Sequence, residues 1–253
     1  MRVLVTRPGP QAVEWVESLR AHGIDAHALP LIGIEPAADR GAVRAAWGGL
    51  ADLKLVVFVS PNAAQQFIAE RPPAFGWPAH VRAGSPGPGT TRTLIELGIP
   101  PQCIVEPAAD AAQFDSETLW AQLAMYDWRG ADVLVVRGDS GRDWLADQLR
   151  AQGARVVFVQ AYQRTAPRLD ATARNLLHDA ATLPSQHLWL FSSSQAIDNL
   201  AAIALPAPDW AQARAIATHP RIAERARRLG FASVTAARPA LDAVVACIQS
   251  IRP

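Results

Sequence analysis

The sequence predicts an α/β protein of two similar domains, each a parallel sheet flanked by helices, and three observations carry that prediction. A strand–helix–strand pattern opens the chain and recurs without a gap at an offset of 130 residues. Two further strand–helix or loop–helix segments recur in the same order at offsets of 132 to 133. The recurrent strands are largely apolar runs followed by helical stretches, the pattern of buried parallel strands with right-handed crossovers.

The first copy begins with Val3-Leu4-Val5-Thr6, followed by Arg7-Pro8-Gly9-Pro10. Val13, Val16 and Leu19 then fall at helical spacing between Gln11 and His22, and Gly23 is a helix stop. Asp25 to Leu29 is extended. The second copy runs from Asp132 through Val136-Arg137-Gly138, with a helix expected over Gly141 to Gln152, then Gly153 and the strand Val156 to Val159. Val3 falls on Val133, Arg7 on Arg137, Leu19 on Leu149 and Gly23 on Gly153.

The next pair is Leu55 to Ala63 and Leu188 to Ala196, each a buried-type strand ending in small polar residues that open a helix. The last pair sets Gly87-Pro88-Gly89-Thr90 and Gly98 against His219-Pro220-Arg221-Ile222 and Gly230. Two proline-flanked extended stretches, Leu31 to Pro36 and Ala161 to Pro167, hold equivalent places in the copies and are expected as inter-domain connectors. Taken alone, the repeat reads as two consecutive domains split near Trp128.

Composition narrows the function. Half the 253 residues are hydrophobic and 19% are charged, so packed cores are expected rather than disorder. The formal net charge is +1, with no long basic run, which argues against non-specific nucleic-acid binding. Cys103 and Cys247 are far apart, and the six histidines form no metal spacing, so neither a disulfide framework nor a metal site is expected. No segment approaches ~18 uninterrupted apolar residues, and the start lacks a signal-peptide pattern; a cytoplasmic protein is expected.

The chemistry is expected at the carboxyl ends of the strands. There ligands of open parallel sheets bind, and helix N-termini offer backbone N–H groups and partial positive charge. Six loops qualify: Thr6 to Pro10, Ser60 to Ala63, Gly87 to Thr91, Arg137 to Arg142, Ser192 to Ala196 and Thr218 to Arg221. Any one of them alone reads as ordinary helix capping by Ser, Asn and Asp; together they favour a site for carboxylates or phosphates. Arg7, Arg137, Arg142, Arg164 and Arg221 lie in or near them and suit carboxylates. Tyr162, in the second connector, offers a phenolic donor, or else simply packs.

Other motifs fail on context. Gly138-Asp139-Ser140-Gly141 has the letters of a serine-protease motif but lies between a strand and a helix. Gly84 to Thr91 has P-loop glycine spacing, yet Thr90 stands where lysine is needed and Pro88 removes an N–H. No Gly-x-Gly-x-x-Gly follows the first strand.

Over nearly its whole length the chain resembles the uroporphyrinogen-III synthase family. The resemblance is carried by Val3 to Pro8, Phe58 to Ala63, Gly87 to Thr90 with Gly98, Asp115-Ser116-Glu117 and Val135 to Gly138. It continues through Ala161 to Arg164, Phe191 to Ser194, and His219 to Ala223 with Gly230.

The resemblance implies a cofactor-free, cytoplasmic, usually monomeric enzyme of tetrapyrrole and haem synthesis. Its substrate is hydroxymethylbilane, a linear tetrapyrrole with eight carboxylates, which is cyclised with loss of water and inversion of the last ring. Together with the connectors, it implies an inserted domain over 35–165 and a discontinuous domain of 1–34 plus 166–253, joined by a two-stranded connector, with the active site in the cleft between them. The expected catalytic residue is Tyr162, which assists hydroxyl departure. The expected substrate-binding residues are Thr6, Arg7, Ser60, Pro61, Asn62, Ala63, Gly87, Thr90, Arg137, Gly138, Ser140, Ser192, Ser193, Ser194, His219 and Arg221. The family's Gly-x-x-Thr loop in the C-terminal part is His219-Pro220-Arg221-Ile222 here, so its threonine is missing. The alternative is a non-enzymatic tetrapyrrole-binding relative, which would be expected to carry an appended DNA-binding or membrane segment.

Overall fold

The computed structural model describes residues 1–204 and 208–251. In chain order it holds β1 (Arg2–Val5), α1 (Gly9–Ala21), β2 (Ala26–Ala28), β3 (Gly33–Pro36), α2 (Arg40–Gly48), β4 (Leu55–Phe58), α3 (Pro61–Ile68), β5 (Arg82–Gly84), α4 (Pro88–Glu96), β6 (Ile104–Val105) and α5 (Ser116–Leu123). It continues with β7 (Asp132–Arg137), α6 (Trp144–Ala151), β8 (Arg155–Gln160), β9 (Tyr162–Thr165), α7 (Ala171–Thr182), β10 (His187–Phe191), α8 (Ser194–Ile203), β11 (Arg214–Ala217), α9 (Pro220–Leu229), β12 (Ser233–Ala236) and α10 (Leu241–Ile251).

Two five-stranded sheets form, ordered β12-β11-β10-β1-β2 and β6-β5-β4-β7-β8, each paired in parallel throughout, and β3 pairs with β9 in a third, two-stranded sheet. The chain divides into two compact units, one of Met1–Gly33 with Thr165–Pro253 and one of Ile34–Arg164, and it passes between them in β3 and β9. Residues 205–207 and 252–253 of the first expected domain lie outside the described residues.

The repeat reaches down to strand register. Val3 pairs with Ala26 and Leu188, and its counterpart Val133 pairs with Val156 and Leu55. Leu188 pairs with Arg214, as Leu55 does with Arg82. The copies are nevertheless permuted. The N-terminal half supplies β1 and β2 to the first unit and β4 to β6 to the second, while the C-terminal half supplies β7 and β8 to the second and β10 to β12 to the first. Equivalent strands thereby hold equivalent places in the two sheets, but the chain order is 2-1-3-4-5 in the first and 3-2-1-4-5 in the second, with the reversal at β1/β10 and at β7/β4.

Each sheet is covered on both faces. In the first unit Val3, Val5, Leu188 and Leu190 face Val16 and Leu19 of α1 and Val244 and Ile248 of α10. In-between strand residues pack into an aromatic group in which Trp189 and Phe191 stack at 5.8 Å and meet Phe231 edge-on. In the second unit Val56, Phe58, Leu134 and Val136 face Trp47 and Phe67, stacked at 4.8 Å. The alternate residues Leu55, Val57, Val133 and Val135 face Leu119, Leu123, Leu145 and Leu149.

Helix ends follow local chemistry. Gly23, Gly98, Gly153 and Gly230 take positive φ just past α1, α4, α6 and α9, where a side chain is strained. Asp115 and Thr118 form a reciprocal capping box on α5. One expected boundary is corrected. The helix after β7 starts at Trp144, not Gly141, because side chains hold the preceding loop in another course: Arg137 Nη2 donates to the Gly141 carbonyl at 3.1 Å, and Arg164 Nη1 donates to Ser140 Oγ at 3.0 Å.

Candidate active site

All six expected loops lie at carboxyl ends of strands, in two groups. In the first unit they follow β1, β10 and β11, which are neighbours in the sheet and include its reversal point. In the second unit they follow β7, β4 and β5, again neighbours with a reversal between β7 and β4. Parallel strands all deliver their carboxyl ends to one sheet edge, so residues far apart in sequence are collected there.

In the first unit the side chains mostly serve their own loops. Thr6 is buried, and its hydroxyl donates to the Leu190 carbonyl at 2.8 Å, tying β1 to β10. Arg7 lies over the Trp15 ring, 4.2 Å from its centroid. Ser193 caps α8 by accepting from the Gln195 N–H at 3.2 Å; Ser194 is the first residue of that helix and Ser192 precedes the cap, part-exposed. His219 caps α9, its Nδ1 accepting from the Arg221 N–H at 3.1 Å, while the Arg221 side chain is exposed. For Ser193 and His219 the plain capping role is therefore the observed one.

The second unit is cross-linked between loops. Ser60 caps α3 by accepting from the Ala63 N–H, and its Oγ lies 3.2 Å from the Tyr162 hydroxyl. Pro61 occupies the first turn, where its missing N–H costs nothing, Asn62 is part-exposed beside it, and Ala63 is buried. Tyr162 is 1% exposed and belongs to the core, with its ring against Gly138. A Cβ on Gly138 would stand 2.8 Å from that ring, so only glycine fits without displacement. Gly87, likewise, is pressed by Phe114, with 2.8 Å left for a Cβ, and Thr90 is buried in α4.

Arginines hold the loop after β7. Arg137 forms an ion pair with Asp143 at 2.5 Å and lies 4.8 Å from the Phe158 ring centroid, so it fastens its own loop. Arg142 grips both carboxylate oxygens of Glu117, which raises its already high pKa through the hydrogen bonds to that carboxylate.

Arg164 reaches furthest. It donates to Ser140 and to the Tyr162 hydroxyl, at 3.1 Å for the latter, and stands 3.6 Å from Asp139. The sequence reading placed Arg164 near the loops but not in the site. The usable signal is its spacing: residues two apart on a strand share a face, so Arg164 in β9 reaches the Tyr162 hydroxyl. Asp139 and Asp143, which face Arg164 and Arg137, lie in the loop after β7, where no sequence spacing signals the pairing. Among the described residues no group of His, Cys, Asp and Glu is arranged to hold a metal ion, and no helix is long and apolar enough to cross a membrane.

Comparison with known proteins places the chain in a family. Uroporphyrinogen-III synthase from Escherichia coli (strain K12) is 27% identical over 98% of this chain and its own full length, and that from Salmonella typhimurium is 25% identical over the same shares. Among solved structures, a mutant uroporphyrinogen III synthase from Thermus thermophilus is 18% identical with a TM-score of 0.57 over 99% of this chain and 98% of that one. The uroporphyrinogen-III synthetase from Helicobacter pylori 26695 is 15% identical with a TM-score of 0.59 over all of both chains. At such identities these structures support the fold. A family model described as Uroporphyrinogen-III synthase HemD matches residues 13–246, and the chain belongs to that family.

Proposed function

We propose that this protein converts hydroxymethylbilane to uroporphyrinogen III, closing the ring with loss of water and inversion of the last pyrrole. The observation that carries the reading is the family match across residues 13–246. The site chemistry supports it. The substrate carries eight carboxylates, and each unit gathers three strand-end loops with helix N-termini at one sheet edge.

The reaction asks little of a nucleophile. The pyrrole nitrogen pushes hydroxide from the hydroxymethyl carbon, and the resulting cation is attacked by a carbon of the last ring. The protein's task is to hold a flexible chain so that the substituted carbon attacks, and to exclude the unassisted closure without inversion. That is catalysis by positioning. Charge-assisted hydrogen bonds to the carboxylates contribute about 1.5–3 kcal/mol each. Exposed Arg221, the helix starts after Ser60 and Gly87, and the Ser192–Ser194 turn are the groups we assign to them. Thr6, Arg137 and Gly138 hold the loops in place through their own contacts, and we assign them that supporting part.

We assign the protein as a cytoplasmic monomer acting without a cofactor. The test supplies purified protein with fresh hydroxymethylbilane and separates the product isomers. Formation of the type III isomer supports the proposal; product that is wholly type I overturns it.

A further inference from the structure

The hydroxyl of Tyr162 has two neighbours, Ser60 Oγ at 3.2 Å and Arg164 Nη2 at 3.1 Å. A guanidinium has five N–H donors and no acceptor, so the Arg164 contact is always a donation to the tyrosine oxygen. The phenolic proton must then go elsewhere. Tyr162 is 1% exposed, and a buried donor is rarely left unmade. Ser60 Oγ is the acceptor within reach among the described residues.

The direction of the chain is thus fixed. Arg164 donates to Tyr162, and Tyr162 donates to Ser60. Ser60 Oγ also accepts from the Ala63 N–H at 3.2 Å. Both acceptor sites of that oxygen are filled, and its own proton is left to point outward from a part-exposed position at the start of α3.

We infer that Arg164 is a positioning residue that makes Ser60 an obligate hydrogen-bond donor to a substrate carboxylate, with Tyr162 as the relay between them. This rests on the proposed substrate being a polycarboxylate, and it reassigns Tyr162: its proton is committed to Ser60 and does not meet the departing hydroxide. Arg164 also holds Ser140 and faces Asp139, so the same guanidinium ties the loop after β7 to the loop after β4, at the point where the strand order reverses. Among the described residues the first unit has no such relay. Ser193 stands where Ser60 does, but Ile32 lies 130 positions before Tyr162.

The experiment uses the full-length protein and measures kcat and KM for type III formation from hydroxymethylbilane, with melting temperature as a check on folding. Loss of one charge-assisted bond raises KM about tenfold in Ser60→Ala and in Arg164→Met, with kcat within about twofold of the parent. The double variant is no worse than Ser60→Ala alone, because both changes remove the same donation. Arg164→Lys, which keeps a donor, recovers most of the loss. Tyr162→Phe keeps the ring on Gly138 and removes only the relay, so it raises KM by less than Ser60→Ala with kcat little changed, and the inference stays testable if Arg164→Met folds poorly. Additive effects in the double variant, or a Tyr162→Phe variant that loses kcat with KM unchanged, overturn the inference while type III formation by the parent protein upholds the function. If the parent makes only the type I isomer, the functional reading falls, and the inference with it.

Discussion

The two units share strand order, register and loop placement, yet they hold their loops differently. In the first unit the caps are local: Ser193 and His219 each bond an N–H two residues on. In the second, Arg164, Tyr162 and Ser60 join neighbouring loops, and Arg137 fastens its own loop to Asp143. Equivalent loops therefore differ in how they are tied to their neighbours. In the first unit the cross-tie is a single bond from Thr6 to the Leu190 carbonyl, while the second presents an interlocked set of side chains. Preorganised donors matter most where a reaction is steered by position.

A second difference shows how a repeat diverges without losing an interaction. Arg2 faces Asp25 at 3.8 Å across the starts of β1 and β2. At the equivalent starts of β7 and β8 the signs are exchanged, Asp132 meeting Arg155 at 2.5 Å. The pairing of charges outlasted the identity of either residue.

The two units differ most as whole folding pieces. The second unit is one continuous stretch, so we propose that a fragment of residues 35–165 folds alone, with cooperative melting by circular dichroism. A fragment of residues 1–128 carries two strands of one sheet and three of the other, completes neither, and is expected to stay unfolded. A folded 1–128 fragment would instead favour consecutive domains.

A smaller effect separates the loops after β1 and β7. Gly138→Ala forces a Cβ to 2.8 Å from the Tyr162 ring and is expected to cost about 1–3 kcal/mol in a urea titration. Gly9→Ala, in the equivalent loop, meets nothing within 4 Å and should change stability by no more than about 0.5 kcal/mol. Equal costs would mean that the two loops are held alike.

The smallest effect concerns the exchanged ion pair. Hydrogen bonds from Arg155 lower the Asp132 pKa in the folded state. A lowered carboxylate pKa stabilises the protein above the unfolded value of roughly 3.9, and that stability is lost as pH falls through the folded value. Asp132→Asn should therefore be slightly less stable than the parent at pH 7, and the gap should shrink as pH falls below roughly 3.9. The pair is solvent-exposed, so the gap is modest. A gap that widens on acidification would contradict this account of the pair.

Much of the fold was legible in the sequence because apolar runs and glycine stops are local signals, and a constant offset linked them. The permuted strand assignment was harder to read. Which half supplies β4 or β10 to a sheet depends on pairing between distant segments, and nothing in the runs Leu55 to Phe58 or Leu188 to Phe191 records it. The loop after β7 misled for a physical reason. Asp139 and Ser140 are good helix starters, but a long-range donation from Arg164 to Ser140 and a local one from Arg137 to the Gly141 carbonyl hold the loop out of the helix. The capping serines were legible as caps. The tie between Ser60 and Tyr162, 102 residues apart, was not, because it exists only once β9 lies beside the loop after β4.

We propose that these loops steer the closure of one linear tetrapyrrole. The most direct measurement is the ratio of type III to type I isomer formed from fresh hydroxymethylbilane, with and without the protein. The account predicts type III as the main product with the protein present and type I without it. A ratio that the protein leaves unchanged would contradict it.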